Sequence, residues 1–279
     1  MKDTLATMKL QLILLLLVAA VWQVQGHKKN RFLVDFAKPN SVNDRIIGGQ
    51  DASPGQFPYM ADLWMSTGSF CGGSIVTVNR ILTAGHCVEG SSYTDVYVGT
   101  HDIYDSSDPE RQTYRSTFTA MHPSYNWPLN DIAVLHIPDM VFTSRIQPVR
   151  LPRRSDGSNL FVGQLTTLSG WGQTSDGGSI SATLKYLPNQ VVITTAECEG
   201  VYGGIVSTLL CTGTDGVNQG CLGDSGSPLV ANYEGDGQPT EIGLFALISS
   251  PSCLTGPGGF TRLTDYFDWL ESHGIPIRP

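Results

Sequence analysis

Three short strings hold the side chains best suited to covalent chemistry. Thr83-Ala84-Gly85-His86-Cys87 places an imidazole beside a cysteine at the end of an apolar run. Asn130-Asp131-Ile132-Ala133-Val134-Leu135 places a carboxylate at the mouth of a strongly apolar strand. Gly220-Cys221-Leu222-Gly223-Asp224-Ser225-Gly226-Ser227-Pro228 sets a serine among glycines, where the backbone can turn tightly and a substrate can come close. A serine hydroxyl is a poor nucleophile at neutral pH and needs a base with a pKa near 6.5 to take its proton. Each string alone has an ordinary reading: a structural histidine, a cap before a strand, a glycine loop. Together they supply a base, a group to orient it and a nucleophile.

These groups must be held by a fold made mostly of short strands. The chain of 279 residues has room for one or two compact units. It is 41% hydrophobic and 15% charged, too apolar for a disordered chain. Thirty-one Gly and sixteen Pro without a repeat indicate many turns rather than a helical bundle. Candidate strands are Ser74–Val78, Ile81–Thr83, Val96–Val98, Ile132–Ile137, Leu165–Ser169, Val191–Ile193 and Gly243–Ile248. Turn clusters divide them, as at Ser106-Ser107-Asp108-Pro109 and Ser175-Asp176-Gly177-Gly178, a pattern of sandwich or barrel. One helix is expected near the C-terminus, capped by Thr264, with Leu263, Tyr266, Phe267 and Leu270 on one face and Gly274 and Pro276 as its stop.

The first 45 residues stand apart. They carry seven Lys/Arg against three Asp/Glu, a net of +4, whereas the remainder nets −12. Lys2 and Lys9 precede an apolar run from Leu12 to Trp22, too short to cross a bilayer but suited to a secretory signal. Residues 1–26 are therefore expected to be a signal peptide, 27–45 a basic pro-segment ending at Arg45-Ile46, and 46–279 the mature, secreted unit. The overall charge of −8 argues against a nucleic-acid partner, and no later stretch reaches membrane length. Six cysteines, Cys71, Cys87, Cys198, Cys211, Cys221 and Cys253, imply disulfides, but fifteen pairings are open to spacing alone. No Cys-x-x-Cys, His-Glu-x-x-His, phosphate loop or dinucleotide fingerprint occurs, so no metal or cofactor is expected.

The order His, Asp, Ser discriminates among hydrolases. An α/β-hydrolase runs Ser, acid, His with Gly-x-Ser-x-Gly, which is absent; subtilisin-like enzymes run Asp, His, Ser. Ile46-Ile47-Gly48-Gly49, Thr83–Cys87, Asp131-Ile132-Ala133, Ser169-Gly170-Trp171-Gly172 and Gly223–Pro228 together resemble the marker segments of chymotrypsin-fold serine endopeptidases, above all the secreted insect members. The resemblance covers essentially 46–279. It implies an all-β fold of two six-stranded antiparallel barrels, roughly 46–155 and 156–279, with a C-terminal helix. It implies His86 as general base and acid, Asp131 as its orienting carboxylate, Ser225 as nucleophile, and the Gly223 and Ser225 amides as oxyanion hole. It implies that cleavage after Arg45 by a trypsin-like protease frees the Ile46 amine to pair with Asp224, and that the disulfides are Cys71–Cys87, Cys198–Cys211 and Cys221–Cys253. Implied partners are protein or peptide substrates and protein protease inhibitors, for a monomer whose default role is digestion.

The sequence departs from the family pattern in places. Gly85 replaces the usual Ala before the histidine, and Ser227 a common Gly. At the substrate pocket, Gln219 stands where trypsin-like members carry an Asp, with Gly220 beside it and Gly258 opposite. A buried P1 Lys or Arg would be unpaired there, so uncharged side chains, chymotrypsin- or elastase-like, are expected. The wall Ile248-Ser249-Ser250-Pro251-Ser252-Cys253 lacks the family's Ser-Trp-Gly, and one of Ile248, Ser249 or Ser250 is expected at the position that supports the catalytic Asp. Thr100 falls where the family's optional calcium loop begins, so Asp102, Asp105, Asp108 and Glu110 are expected to form a solvated loop. The rival reading, a catalytically silent binding or regulatory homologue, ordinarily goes with loss of a triad residue.

Overall fold

The computed structural model describes residues 46–204, 208–248 and 252–279. The expected signal peptide and pro-segment, Arg45 included, and the wall residues Ser249 and Ser250 lie outside the described residues. In chain order the strands are β1 (Gln50–Asp51), β2 (Met60–Met65), β3 (Phe70–Thr77), β4 (Arg80–Thr83), β5 (Thr94–Val98), β6 (Gln112–Ser116) and β7 (Phe118–Met121). They continue as β8 (Ala133–His136), β9 (Leu165–Gly170), β10 (Lys185–Val191), β11 (Leu209–Thr212), β12 (Pro228–Ala231), β13 (Thr240–Leu247) and β14 (Gly258–Arg262). Among the described residues three short α-helices join them: α1 (Gly85–Val88), α2 (Thr195–Tyr202) and α3 (Phe267–Ser272).

The strands form two curled antiparallel sheets, ordered β6-β5-β2-β3-β4-β8-β7 and β1-β10-β9-β12-β13-β14-β11. Each has seven strands where six were expected, for two separate reasons. In the first sheet β6 and β7 are one run interrupted at Thr117, and its halves pair with β5 and β8 at opposite ends of the strand order. A single bent strand thereby lets six strands close on themselves. In the second sheet β1, two residues just after Ile46-Ile47, adds itself to the edge of β10. All three disulfides fall as the resemblance implies: Cys71–Cys87, Cys198–Cys211 and Cys221–Cys253.

Each sheet encloses its own core. Leu63, Ile75, Ile81, Val96 and Leu135 fill the first, and Leu168, Leu187, Leu229, Ile242 and Phe260 the second. β5 alternates buried and half-buried positions, as a strand with one solvated face should. Between the sheets Tyr59, Met60, Phe70, Trp171 and Val230 form a third cluster. The C-terminal helix differs from expectation at its start. Leu263–Tyr266 is a 3-10 turn without a side-chain cap, Thr264 is buried within it, and α3 follows. The expected apolar face holds, since Leu263, Tyr266, Phe267 and Leu270 are all buried. Among the described residues no helix is long and apolar enough to cross a membrane.

Candidate active site

The base side is assembled by strand pairing. β4 and β8 run antiparallel with Thr83 opposite Ala133, so the residues just beyond them, His86 on α1 and Asp131, meet. The Asp131 carboxylate is fully buried and takes two bonds from one residue. The His86 backbone N–H donates to Oδ1 at 2.7 Å, and the ring Nδ1 lies 2.7 Å from Oδ2. Two points of attachment fix the ring plane and the tautomer, leaving Nε2, which lies 3.9 Å from Cys87 Sγ, as the ring nitrogen not bound to the carboxylate. Burial pushes the imidazole pKa down, but the charge and hydrogen bond of Asp131, with Glu89 adding to them, leave it raised above 6.5. Thr261 Oγ1 donates to the Asp131 carbonyl at 2.8 Å, tying this corner to the second sheet. The Gly85 departure has a cause: a Cβ there would sit 2.9 Å from Tyr125 Cδ2, because the tyrosine ring fills that space.

Ser225 reaches the same corner from the other sheet. The Gly72 amide donates to the Ser225 carbonyl at 2.9 Å, and the Gly226 amide to the Phe245 carbonyl at 2.8 Å. Gly226 adopts φ +76°, and a Cβ on it would overlap Thr83 Oγ1 and stand 2.9 Å from Ala84 N. The serine turn therefore rests on the residues that lead into His86, and Gly72 follows Cys71, whose disulfide partner is Cys87. Among the described residues the polar contacts of the His86 side chain are to Asp131 and Cys87, and none joins it to Ser225 Oγ; such bonds are often long without substrate and tighten when it binds. Gly223 has φ +94° and a Cβ there would come within 2.9 Å of Ile180 Cγ2, so glycine is required by conformation and packing before any substrate arrives. Ser227 is buried, its Oγ packed where a Cβ on Gly72 would fall.

Beneath the serine, Asp224 is fully buried. Its Oδ1 accepts from Gly172 N at 2.8 Å and its Oδ2 from Cys221 N at 3.0 Å. Burial pushes this carboxyl up to about 7 despite those bonds, and no cation is among its described partners. Ile46, the expected new N-terminus, is fully buried in the core cluster of Leu168, Leu187 and Leu229. Ile47 bridges Gln219, whose backbone N–H donates to the Ile47 carbonyl at 3.1 Å. The residues expected to switch the site are thus packed alongside the strip that carries the pocket and the nucleophile.

At the expected pocket floor Gln219 is 1% exposed, with both ends of its amide engaged. Nε2 donates to the Gly256 carbonyl at 3.0 Å and Oε1 accepts from Gly220 N at 3.2 Å. A Cβ on Gly258 would lie 3.1 Å from the same Oε1, so Gln219 and Gly258 do face one another. Gly220 points its missing side chain at Leu168 and Phe245, which makes it a core glycine. Ile248 packs with Ile47, Leu222 and Leu254 around Cys221–Cys253, and among the described residues the Asp131 carboxylate is held by His86 alone. Ile248 therefore does not take the supporting position, and Ser249 and Ser250 lie outside the described residues.

The acidic loop is organised from within. Arg145, itself largely buried, spans Asp108 at 2.6 Å and the Gly99 carbonyl, placing a guanidinium inside the loop. Asp102 and Asp105 cap turns of their own, through the amides of Tyr104 and Ser107. His122 packs on Tyr266 and Trp269, and His136 on Phe118 and His273, so these rings serve as aromatic packing. Sequence reasoning did not find Gly72 or Thr261, whose contributions come from other strands.

Comparison with known proteins identifies the family. Residues 46–270 match the Trypsin family model. A collagenase of Hypoderma lineatum is 36% identical over 252 residues, covering 85% of this chain and 92% of its own. Brachyurin of Leptuca pugilator is 35% identical over 232 residues, covering 81% and 97%, and a chymotrypsin of Phaedon cochleariae is 32% identical, covering 82% of each. The solved structure of HL collagenase superposes with a TM-score of 0.74 at 34% identity, over 83% of this chain and all of that one. With its fold, its disulfides and the greater part of its length accounted for, the chain belongs to the trypsin family and is a serine endopeptidase.

Proposed function

We propose that this serine endopeptidase is secreted as a zymogen, is activated by cleavage of Arg45–Ile46, and cuts after uncharged side chains. The observation that carries the reading is the two-point hold of Asp131 on His86 beside a serine turn seated on Gly72 and Ala84. Residues 1–26 are its signal peptide, 27–45 its pro-segment, and 46–279 its catalytic unit.

The chemistry follows from the roles of the groups. His86 Nε2 takes the proton of Ser225 Oγ as the oxygen bonds to the scissile carbonyl carbon. Asp131 stabilises the imidazolium that forms. The developing oxyanion is met by the Gly223 and Ser225 amides, a contribution typically worth about 100- to 1000-fold per donor. His86 then hands its proton to the amine as the C–N bond breaks, leaving an acyl-enzyme. Water repeats the sequence in reverse, its proton passing through His86 back to Ser225.

The Gln219 amide, satisfied on both sides, offers no charge to a P1 Lys or Arg, whose unpaired burial would be strongly unfavourable. Activation follows from Asp224: a free Ile46 ammonium would give that buried carboxyl a cation, and the paired ions would order the pocket and oxyanion turn. A trypsin-like protease is the activator, and protein inhibitors are natural partners of the cleft. The Hypoderma lineatum relative and the solved structure are named collagenase, which makes native collagen one protein substrate to try beside dietary proteins. Profiling the trypsin-activated protein on a peptide library tests the specificity. Cleavage after apolar residues, with Lys and Arg at least about tenfold poorer, is expected; a preference for Lys or Arg would overturn it.

A further inference from the structure

We propose that Asp176 is a specificity-positioning residue: its carboxylate straps the loop that follows Trp171 onto the wall of the substrate pocket. The Ser175-Asp176-Gly177-Gly178 cluster reads in sequence as nothing more than a turn. In the structure it reaches across to a segment distant in the chain. Asp176 Oδ1 accepts from the Cys253 backbone amide at 2.9 Å, and Oδ2 accepts from the Ser252 hydroxyl. The same hydroxyl accepts from Leu254 N at 3.1 Å, and the Ser252 carbonyl takes Thr255 Oγ1 at 2.8 Å, so the strap ends on a locked turn.

The position of that turn gives the contact its consequence. Cys253 is bonded to Cys221, four residues before Ser225, and Gly256 just beyond receives Gln219 Nε2 from the pocket floor. The strap's own loop is anchored close to the nucleophile: Gly172 N donates to Asp224 and Gln173 N to the Leu222 carbonyl at 2.7 Å. One loop therefore touches both ends of the pocket, the oxyanion side through backbone bonds and the wall through a single charged side chain. A carboxylate accepting an amide and a hydroxyl makes charge-assisted bonds, about twice as strong as neutral ones. Asp176 touches no reacting atom. It fixes the separation between wall and floor, and so matters most for substrates whose P1 side chain fills that space.

The proposal rests on the proteolytic reading, and its test separates the two. Asp176→Ala, Asp176→Asn and Ser252→Ala are activated by cleavage after Arg45, and active sites are counted with a fluorophosphonate. kcat and KM are then measured on peptide amides differing only at P1, from Gly through Ala, Val and Leu to Phe. For Asp176→Ala, KM rises about tenfold for the P1 side chains that bind best and changes little for P1 Gly, while kcat per labelled site stays within about twofold. Asp176→Asn, which keeps an acceptor for Cys253 N, recovers much of the loss, and Ser252→Ala shows the same pattern more weakly. Hydrogen exchange at the Cys253 amide quickens in Asp176→Ala. A loss equal across all P1 groups, an unchanged KM or an unchanged exchange rate overturns the proposal alone. Wild-type protein that takes no label after cleavage overturns the proteolytic reading and this proposal with it.

Discussion

The two arms of the site are built on different principles. The base arm is complete within one sheet: β4 and β8 deliver His86 and Asp131, a disulfide anchors the neighbouring cysteine, and the buried carboxylate already has its partner. The nucleophile arm, in the other sheet, centres on Asp224, an equally buried carboxylate supplied with backbone amides but with no described cation. A buried acid with a partner is a fixed part; one without is a part waiting for a charge. The contrast teaches where a latent protease can store its switch. Under the proposed activation, proton-transfer geometry can be made once and left in place, while the oxyanion turn and pocket would depend on a group that appears only on cleavage.

The largest effects should come from cutting each arm at its functional atom. Ser225→Ala lowers kcat by about 10⁵- to 10⁶-fold, as loss of a nucleophile does in serine proteases generally. Asp131→Asn costs about 10⁴-fold, the magnitude established for this exchange in the family, because the wrong tautomer is then held. Steady-state rates on a good peptide substrate check both: a loss below tenfold at Ser225 breaks the nucleophile-arm half of the comparison, and one below tenfold at Asp131 the base-arm half.

A smaller effect separates the arms by stability. Asp62, Asp224 and Glu241 are pushed up by burial, to about 7, 7 and 8, so the folded protein keeps protons that the unfolded chain has released. Stability of the precursor should therefore fall as pH rises from about 4 to 8, by on the order of 4 kcal/mol for Asp224 alone if it stays unpaired. Cleavage after Arg45 should remove the Asp224 part of this slope, since an ammonium lets that carboxylate ionise without loss. Urea unfolding of the Ser225→Ala protein before and after cleavage, at several pH values, measures the difference. Equal slopes would mean that Asp224 gains no partner.

The smallest effect belongs to the base arm. Burial pulls His86 down, but the charge and hydrogen bond of Asp131 together with the charge of Glu89 leave it raised above 6.5, and only the neutral ring can take the serine proton. kcat/KM should rise with pH through a midpoint above 6.5, and Glu89→Gln should move that midpoint down. A profile flat from pH 5 to 8 contradicts the role given to His86.

Much of this was legible in the chain, and the rest was hidden for physical reasons. β4 and β8 are apolar runs ending at reactive residues, and all three disulfides follow from the family resemblance. β6 and β7 escaped because their solvent-facing positions, Thr113, Arg115 and Phe118, alternate with inward ones that are mostly polar or small, with Tyr114 alone of β6 packing on the core, which leaves little hydrophobic signal. α2 was within reach, since Thr194 and Glu197 form a capping box that the sequence displays. At the site, glycine-rich strings announced Ser225, but the bonds from Gly72, Thr261 and Asp176 join strands and loops far apart in the chain, and no spacing rule reports them. The glycines around Ser225 were read as letting a substrate come close, and at Gly223 the structure adds a nearer reason in its φ and in Ile180.

The central claim is that Ser225 becomes a competent nucleophile when, and only when, the chain is cut after Arg45. Fluorophosphonate labelling followed by peptide mapping tests it directly, on wild-type protein and on Arg45→Gln, each before and after limited trypsin treatment. Label confined to Ser225, and appearing only in cleaved wild-type protein, is the predicted result. Label on the uncleaved protein or on treated Arg45→Gln would contradict the switch, and its absence from cleaved wild-type protein would contradict the enzyme mechanism itself.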